Sequence, residues 1–381
     1  MLKNGIGGNR LKVVVIGGGF GGTEVIHQLV LHGARRLEVE LVSNKNFFEN
    51  TIGGTELVSE KTKLEELTYD LKELSDYWDY NLVTGTVENI DLKTKSFKIG
   101  NRKEEYDVLV VATGSEPNFF HVPGADQTQP AYHLSDFVSI NRKLKELEID
   151  RPHVVIAGGG FVGIEVAAEI LDLYDVLKKK VDVTVIEKMP MVLSAYNNLL
   201  ARKTVFEDFS SRGVKFMLDN GIQTVKKSDL ILDDGSVVQS DLTVWTAGIK
   251  GCLIQSRIGI NLIKGCIDVD ERLLVKGYDN VFTIGDSASV LINGKEATKM
   301  AGEAMEQAKT VAKNIIHISQ GQRPEIQHVP NYTTDYPKAL LSMGKGRAML
   351  IFGPQFASVG STEYILKKRI DVEEIMGRFP L

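Results

Sequence analysis

A nine-residue, glycine-rich motif occurs twice in this chain. The motif GGGFGGTEV at residues 17–25 returns as GGGFVGIEV at residues 158–166, with seven of nine positions identical. A second pair follows in the same order and at nearly the same separation: YDVLVVATG at 106–114 is similar to SDLTVWTAG at 240–248. Two ordered pairs at nearly equal separations predict a duplicated domain, and this is the strongest constraint on the fold.

Each glycine motif lies between a strand pattern and a helix pattern. Short β-branched runs at 11–16 and 153–157 precede the glycines, and residues 23–31 and 164–173 follow with helical character. A strand, GxGxxG and a helix are typical of a Rossmann unit: the first glycine permits the turn, the second admits a pyrophosphate, and the third lets helix and strand pack. The sequence predicts an α/β fold with two Rossmann-like domains and the phosphate-binding glycines Gly17, Gly19, Gly22, Gly158, Gly160 and Gly163.

The two motifs differ in the residue that would meet the ribose. A Rossmann unit usually ends its second strand with an acid that binds the ribose hydroxyls. In the second half the run 182–187 ends in Glu187, a carboxylate that favours NADH because it repels the 2′-phosphate of NADPH; the adjacent Lys188 moderates this repulsion. In the first half the run 37–42 leads to Ser43, a neutral group that can still hydrogen-bond a ribose. We therefore expect two different sites.

Several other segments have strand, turn or helix patterns. We expect strand pairs over 82–99, 230–238 and 339–352, a buried strand over 280–286, and a helix over about 298–318. The tail 362–379 is amphipathic at helical spacing. This pattern fits a helix docked on the protein's own core and a helix at a membrane interface equally well. Its apolar side comprises Ile365, Leu366, Ile370, Ile375 and Met376, and its charged side Lys367, Lys368, Arg369 and Glu373.

Composition narrows the function classes. The 381 residues include 45 Lys and Arg against 50 Asp and Glu, and the net charge of −5 gives no reason to expect a nucleic-acid partner. The sequence has no apolar run of about 18 residues for a membrane-spanning helix and no apolar N-terminal signal segment. Cys252 and Cys266 have neither metal-type nor C-x-x-C spacing, which is typical of packing residues in a reducing, cytoplasmic compartment.

Three further motifs carry a family resemblance. They are VATGSEP at 111–117 followed by VPG at 122–124, VWTAGIKG at 244–251, and VFTIGDSA at 281–288. With the two glycine motifs, they make residues 11–352 resemble the two-dinucleotide-binding flavoproteins. Within that superfamily the chain is most similar to type II NADH dehydrogenases and their sulfide:quinone oxidoreductase relatives.

The resemblance implies FAD in the N-terminal half and NADH in the second. It implies that Asp286 holds the ribityl chain, although a turn acid after a strand would look the same. It places Glu165 at the nicotinamide; the alternative is an acid favoured by the helix dipole, as Glu24 in the first copy suggests. The other cofactor-binding candidates, besides the six motif glycines and Glu187, are Ser43, Ala112, Thr113, Gly114, Gly248 and Gly285.

The chain also departs from its relatives. It lacks the C-x₄-C pair of disulfide reductases, and Cys252 and Cys266 match neither cysteine context of the sulfide-oxidising branch. The quinone motif A-Q-x-x-x-Q of type II enzymes is replaced by AGEAME at 301–306, where Glu306 could still hydrogen-bond a quinone. Lys367 matches a family lysine near the flavin. The catalytic candidates are therefore Glu165, Glu306 and Lys367.

These observations lead to one functional hypothesis and two alternatives. We expect an FAD-dependent NADH dehydrogenase of the type II kind, a homo-oligomer that passes electrons to an acceptor, with a membrane quinone as the candidate and the tail 362–381 as the contact with the inner face of the cell membrane. The alternatives are a sulfide:quinone oxidoreductase and a non-enzymatic NADH/FAD-binding redox sensor. We expect an FAD domain over 1–120 and 270–330, an NAD domain over 121–269, and a C-terminal hairpin and helix over 331–381.

Overall fold

Two parallel five-stranded sheets, of which four strands follow the same order and the fifth, at the outer edge, comes from a different place in the chain, organise the protein. The computed structural model describes residues 10–32 and 37–376. In each sheet the strand that precedes a glycine motif is central, which confirms the predicted α/β fold with two Rossmann-like units. In spatial order, the first sheet consists of Val281–Thr283, Val108–Val111, Leu11–Ile16, Leu37–Ser43 and Asn81–Thr84. The second consists of Gln129–Pro130, Leu242–Trp245, His153–Ala157, Asp182–Ile186 and Lys215–Met217.

The glycine motifs occupy equivalent positions at the carboxyl ends of these sheets. The Gly17 N–H donates to Val42 O at 2.8 Å, and the Gly158 N–H donates to Ile186 O at the same distance. Both central strands are buried β-branched runs, as expected for parallel strands covered on two faces. The duplication read from the sequence therefore extends to the backbone of both glycine loops.

The opposite ends of the central strands are also held alike. The Asp107 carboxylate accepts a hydrogen bond from Lys12 N at 2.7 Å. The Asp241 carboxylate accepts one from His153 N, again at 2.7 Å. Each aspartate immediately precedes the neighbouring strand of its sheet, so each fixes where two adjacent strands begin.

Eight α-helices lie in the part of the chain that the structure describes. Two of them, α1 (Phe20–His32) and α4 (Phe161–Leu177), begin directly in the glycine motifs and are longer than predicted. Helix α7 (Ala301–Ser319) begins at Ala301 rather than near Thr298, because the Thr298 N–H donates to Tyr332 O and keeps that segment extended. The helices are α1 (Phe20–His32), α2 (Leu71–Trp78), α3 (Leu134–Glu146), α4 (Phe161–Leu177), α5 (Leu199–Ser211), α6 (Leu253–Ser256), α7 (Ala301–Ser319) and α8 (Ser361–Met376).

Smaller sheets and 3₁₀ segments complete the fold. The predicted strand pairs over 230–238 and 339–352 are confirmed, and each gains a third strand. The prediction over 82–99 is wrong in its first part: residues 82–84 belong to the first parallel sheet, and the hairpin starts at Val87. The antiparallel triplets are Val87–Asp91, Ser96–Ile99, Arg102–Glu105; Ile222–Lys226, Asp229–Leu232, Val237–Gln239; and Lys338–Gly344, Arg347–Phe352, Phe356–Gly360. The remaining short strands are Phe47–Glu49, Thr68–Asp70, Ser115–Pro117, Ile249–Gly251, Leu262–Ile263, Cys266–Asp268, Ala288–Ser289, Leu291–Ile292 and Lys295–Glu296, and the 3₁₀ segments are Thr51–Leu57, Leu64–Glu66, Ala125–Gln127 and Gly285–Ser287.

The C-terminal helix α8 docks on the protein with its apolar side outward. Ile365 is 67% exposed and Leu366 and Ile370 are each 39% exposed, whereas Lys367 is only 3% exposed. The prediction that this helix docks on the protein core through its apolar side is therefore wrong for Ile365, Leu366 and Ile370. The inward lysine is explained by buried acids beneath the helix. Side chains after Asp371, including those of Glu373, Ile375 and Met376, lie outside the described residues, as does the segment 377–381.

Candidate functional site

The first glycine loop leaves open space at its middle glycine. Gly17 has a φ of +117°, and a Cβ on Gly22 would lie 1.9 Å from Gly17 O, so both positions require glycine for the turn and for helix packing. A Cβ on Gly19 would have no described atom within 4 Å. The loop thus presents free space at the N-terminus of α1, where backbone N–H groups and the helix dipole favour a phosphate.

The second glycine loop repeats this arrangement. Gly158 has a φ of +111°, and a Cβ on Gly163 would lie 2.1 Å from Gly158 O. A Cβ on Gly160 would again have no described atom within 4 Å. Because both loops have the shape that a dinucleotide pyrophosphate needs, the residues present fit one dinucleotide at the start of α1 and another at the start of α4.

The predicted ribose-binding residues lie beside their own glycine loops. The Glu187 carboxylate accepts hydrogen bonds from Gly159 N at 2.7 Å and from Met189 N at 2.8 Å, so it is held at the edge of the second loop. Ser43 is buried against Gly18, whose Cβ would come within 2.9 Å of Ser43 Oγ. The carboxylate beside one loop and the hydroxyl beside the other make the two sites chemically different.

Two predicted flavin segments meet at Ser287, which sequence reasoning missed. Ser287 Oγ accepts a hydrogen bond from Gly114 N at 2.8 Å and lies 3.3 Å from Thr113 Oγ1. Ser115 Oγ donates to the Asp286 carboxylate at 2.6 Å, and burial raises the pKa of Asp286. These bonds join two segments at the carboxyl end of the first sheet: the end of the strand before Ala112, and the segment Gly285–Ser287. Together the two segments form one continuous polar edge.

Two glutamines reinforce this edge. Gln255 Nε2 donates to Gly114 O at 2.9 Å, and Gln307 Oε1 accepts from Gly285 N at 2.7 Å. No motif singles out Gln255, since its contact joins two segments that are far apart in the sequence. Gly248 lies instead at the equivalent edge of the second sheet, where its O accepts from Asn118 N at 2.9 Å.

Both cysteines lie next to the predicted flavin segments, a location that their spacing in the sequence did not indicate. Cys252 Sγ donates to Thr113 O and Cys266 Sγ donates to Asp286 O, each at 3.3 Å. Burial, followed by the nearby acids, raises the pKa of Cys252 to about 11. A thiol with such a pKa is almost entirely protonated at neutral pH and is a poor nucleophile.

Glu165 and Lys367, two of the catalytic candidates, meet in the protein interior. Glu165 Oε1 lies 3.9 Å from Lys367 Nζ and accepts from Ser342 N at 2.8 Å, while Oε2 accepts from Thr55 Oγ1 at 3.3 Å. Burial raises the pKa of Glu165. Burial alone would lower the pKa of Lys367, but the carboxylates of Glu165 and Asp371 outweigh it, and the pKa is raised. The pair therefore places a buried acid and a buried ammonium group side by side.

Lys367 also connects α8 to the 3₁₀ segment Thr51–Leu57. Lys367 Nζ donates to Ile52 O at 3.4 Å, and Tyr364 OH donates to Glu56 at 3.1 Å. Lys368 pairs with the same Glu56, which is 1% exposed. The charged side chains of α8 thus face inward because they form ion pairs and hydrogen bonds with groups beneath the helix.

Glu306, the third catalytic candidate, lies on α7, where its carboxylate pairs with Lys309 Nζ at 2.7 Å. Among the described residues, neither Glu165 nor Lys367 is a hydrogen-bond or ion-pair partner of Glu306. Its neighbour Glu303, which sequence reasoning missed, is fully buried. The Glu303 carboxylate lies 2.7 Å from His328 Nε2 and accepts from Tyr332 N at 2.9 Å. A Cβ on Gly302 would lie 2.9 Å from the Tyr332 ring, so this tyrosine fills the space beside the position where the quinone motif has its first Gln.

Comparison with known proteins identifies the family. The family model described as pyridine nucleotide-disulphide oxidoreductase matches residues 11–309. The chain belongs to this family. FAD is its usual flavin, so the predicted FAD and NADH cofactors and the predicted oxidoreductase class agree with membership.

Individual relatives cover nearly the whole chain. A type II NADH:quinone oxidoreductase from Staphylococcus aureus (strain NCTC 8325 / PS 47) is 25% identical over 393 residues, covering 96% of each chain. Among solved structures, the sulfide:quinone oxidoreductase of Aquifex aeolicus matches with a TM-score of 0.83 at 20% identity, over 95% of this chain and 90% of that one. NDH2 from Plasmodium falciparum in complex with NADH has a TM-score of 0.79 at 16% identity, over 97% and 99%. The resemblance stated from the motifs is therefore confirmed.

Among the described residues, no helix combines the length and the apolar character that crossing a bilayer requires.

Proposed function

We propose that this protein is an FAD-dependent NADH dehydrogenase that oxidises NADH and delivers two electrons to a quinone. The observation that carries the proposal is the pair of open glycine loops at equivalent ends of two parallel sheets, because two dinucleotide sites in one chain suit hydride transfer between a nicotinamide and a flavin. The type II NADH:quinone oxidoreductase relatives, which match 96% of the chain, support the choice of substrates.

Some of the site residues would bind the two cofactors, and others would control protonation. Bound FAD would supply the hydride acceptor and the electron store. Backbone N–H groups around Gly19 and Gly160 would bind the two pyrophosphates, Asp286 would hold the ribityl chain, and Glu187 would hold the NADH ribose. Glu165 and Lys367 would set the charge and proton supply beside the reacting rings, where a buried acid with a raised pKa is suited to hold a proton.

The exposed side of α8 supports a membrane quinone as the acceptor. Ile365, Leu366 and Ile370 lie on an outward face of this helix. An amphipathic helix of this kind binds a bilayer interface through its apolar face. We propose that α8 brings the protein to the cytoplasmic face of the membrane, where a quinone is available.

One anaerobic experiment tests the proposed function. The flavin absorbance is followed after addition of NADH, NADPH or sulfide, and a quinone analogue is then added. The proposal expects rapid bleaching by NADH and reoxidation by quinone. Bleaching by sulfide alone would favour a sulfide:quinone oxidoreductase, and NADH binding without bleaching would favour a redox sensor; either result contradicts the proposal. Burial raises the pKa of the Cys252 thiol, which makes it a poor nucleophile and argues against sulfide oxidation at this residue.

A further inference from the structure

Phe120 and His121 occupy the centre of a tight turn whose backbone favours glycine or asparagine. The Val122 N–H closes the turn by donating to Phe119 O at 2.9 Å. Both central residues have a left-handed backbone, with a φ of +49° at Phe120 and +56° at His121. Turns with positive φ at both central positions are dominated by Gly, Asn and Asp, because larger side chains are strained there. The chain therefore keeps a phenylalanine where the backbone disfavours one.

The turn is fixed to the end of a strand in the second parallel sheet. The Asn118 N–H donates to Gly248 O at 2.9 Å, and Asn118 O accepts from Trp245 Nε1 at 2.8 Å. The Asn118 side chain also accepts from Phe120 N at 2.9 Å. The neighbouring Phe119 packs on the core, where its ring centroid lies 5.7 Å from that of Trp245. The sheet that carries the second glycine loop thus sets the position of the turn.

The Phe120 ring lies on Gly248 and is largely open to solvent. A Cβ on Gly248 would lie 2.9 Å from Phe120 Cζ, so only glycine leaves room for the ring at this distance. Phe120 is nevertheless 55% exposed. Packing on Gly248 uses part of the ring, and leaving the rest in water adds nothing to stability. Strained residues of this kind cluster at ligand-binding sites, which directs attention to what lies beside the ring.

Gly248 borders the second glycine loop. A Cβ on Gly158 would lie 2.7 Å from Ala247 Cα, and Thr246 Oγ1 donates to Gly158 O at 2.9 Å. Residues 246–248 and the first glycine of the motif are therefore in direct contact. The Phe120 ring lies at the rim of that loop, on the far side of this short segment.

The strand order decides which half of NADH would reach the Phe120 ring. The central strand of the second sheet leads to the loop where the pyrophosphate would bind. Glu187 follows the neighbouring strand on one side, Asp182–Ile186. Gly248 follows the neighbouring strand on the other side, Leu242–Trp245. With the adenosine ribose at Glu187, the nicotinamide half extends to the Gly248 side, where Phe120 lies.

We propose that the Phe120 ring contacts the nicotinamide ring of NADH and helps to orient it for hydride transfer. The inference rests on the proposed function and adds to it a residue that binds the substrate. A flat aromatic face stacks on a planar heterocycle, and this contact covers apolar surface that Phe120 otherwise exposes to water. Because the turn already holds the ring in place, the contact costs little conformational entropy.

Equilibrium binding to the FAD-loaded protein tests the contact without turnover. Calorimetry compares NAD⁺, which binds without reducing the flavin, with ADP-ribose, which is the same molecule without the nicotinamide ring. Phe120→Ala and Phe120→Leu should weaken NAD⁺ binding about tenfold and change ADP-ribose binding by less than about twofold. Phe120→Tyr keeps an aromatic face and should bind both ligands as the parent does. Glu187→Ala should weaken both ligands alike, because they share the adenosine ribose.

A matched control separates the contact from a general effect of removing an exposed ring. Phe356 is 50% exposed and lies in the C-terminal hairpin, so Phe356→Ala should leave both dissociation constants unchanged. Thermal unfolding of the variants without nucleotide checks the fold, and Phe120→Leu keeps most of the apolar volume on Gly248 should Phe120→Ala unfold.

Two results would overturn the contact with the nicotinamide ring. One is an equal loss of affinity for NAD⁺ and ADP-ribose in the Phe120 variants, and the other is an unchanged affinity for NAD⁺. Failure of NADH to bleach the parent flavin would instead overturn the proposed function. The comparison of NAD⁺ with ADP-ribose would still decide what Phe120 contacts, since it requires no electron transfer.

Discussion

Glu165 Oε1 and Lys367 Nζ lie 3.9 Å apart, joining the helix after the second glycine motif to the C-terminal helix. Neither side chain has an appreciable contact with water, and Asp371 lies 3.8 Å from the same ammonium group. The C-terminal helix is thereby tied, through one inward lysine, to the place where we propose that NADH reacts.

Replacing Lys367 with Met should destabilise the protein in a pH-dependent way. The variant leaves Glu165 buried without its ammonium neighbour, which we expect to cost on the order of 3 kcal/mol at pH 8. The cost should shrink towards pH 5, because a carboxyl whose pKa is raised in the folded state takes up a proton there and is then buried as a neutral group; the penalty returns as the pH rises and the carboxyl must ionise. Urea unfolding at both pH values measures this. A loss of equal size at both would contradict it, and Lys345→Met, which breaks an exposed pair, should cost under about 1 kcal/mol.

Replacing Glu187 with Ala should reduce the preference for NADH. The parent should reduce its flavin with NADH at a kcat/KM at least about tenfold above that with NADPH, equivalent to about 1.4 kcal/mol. The variant should narrow the gap, because the carboxylate beside Gly159 no longer repels a 2′-phosphate. Lys188→Ala is the neighbouring control and should not favour NADPH. Equal efficiency with both nucleotides in the parent would refute the assignment.

Alanine at the middle and last glycines of the second motif should have different effects. Gly160→Ala has room for its methyl group, so the free energy of unfolding should change by less than about 1 kcal/mol while NADH binding weakens. Gly163→Ala would bring Cβ within 2.1 Å of Gly158 O and should destabilise the fold itself. Thermal unfolding with and without NADH separates the two effects. If Gly160→Ala bound NADH as tightly as the parent, no pyrophosphate would lie there.

The double variant Cys252→Ser, Cys266→Ser should keep its flavin and its NADH-driven turnover. Both thiols act as hydrogen-bond donors to carbonyl oxygens, a role that a serine hydroxyl can take over. The ratio of flavin to protein and the rate of flavin reduction are the measurements. Retained FAD with lost electron transfer would point to the sulfide-oxidising alternative.

Substituting serine for Ile365, Leu366 and Ile370 should abolish binding to liposomes. These side chains face outward, so their replacement should leave the ion pairs of α8 and the NADH-driven reduction of the flavin intact. Sedimentation with vesicles and quinone turnover should fall together. A triple variant that still sediments, or a parent that never does, would exclude this face as the membrane contact.

The fold could be predicted from the sequence because each copy of the repeat lies within one continuous segment of the chain. Two glycine motifs and their flanking strands predict two Rossmann-like units, and each strand end places Ser43 or Glu187 correctly beside its loop. The orientation of α8 could not be predicted from the sequence. Lys367 and Lys368 face inward because they pair with Glu165 and Glu56, and both acids belong to much earlier segments of the chain. The buried pair of Glu303 and His328 was missed because its two members also come from separate segments, with no motif to join them.

Some expectations remain predictions. They are the domain boundaries at 120, 269 and 330, the homo-oligomer, and the role of each site residue. Cys252 and Cys266 match no redox or metal motif, and their spacing in the sequence could not show that each thiol contacts a predicted flavin segment.

The two aspartates that accept hydrogen bonds from the starts of the central strands bear on the origin of the chain. Shared glycine loops can arise independently, because binding a pyrophosphate selects the same turn repeatedly. Asp107 and Asp241 lie at the other end of their strands from the glycine loops, yet each accepts the same bond from Lys12 or His153 at 2.7 Å. A ligand at the loops exerts no selection on that contact, so its recurrence speaks for descent of both halves from one ancestral gene rather than convergence.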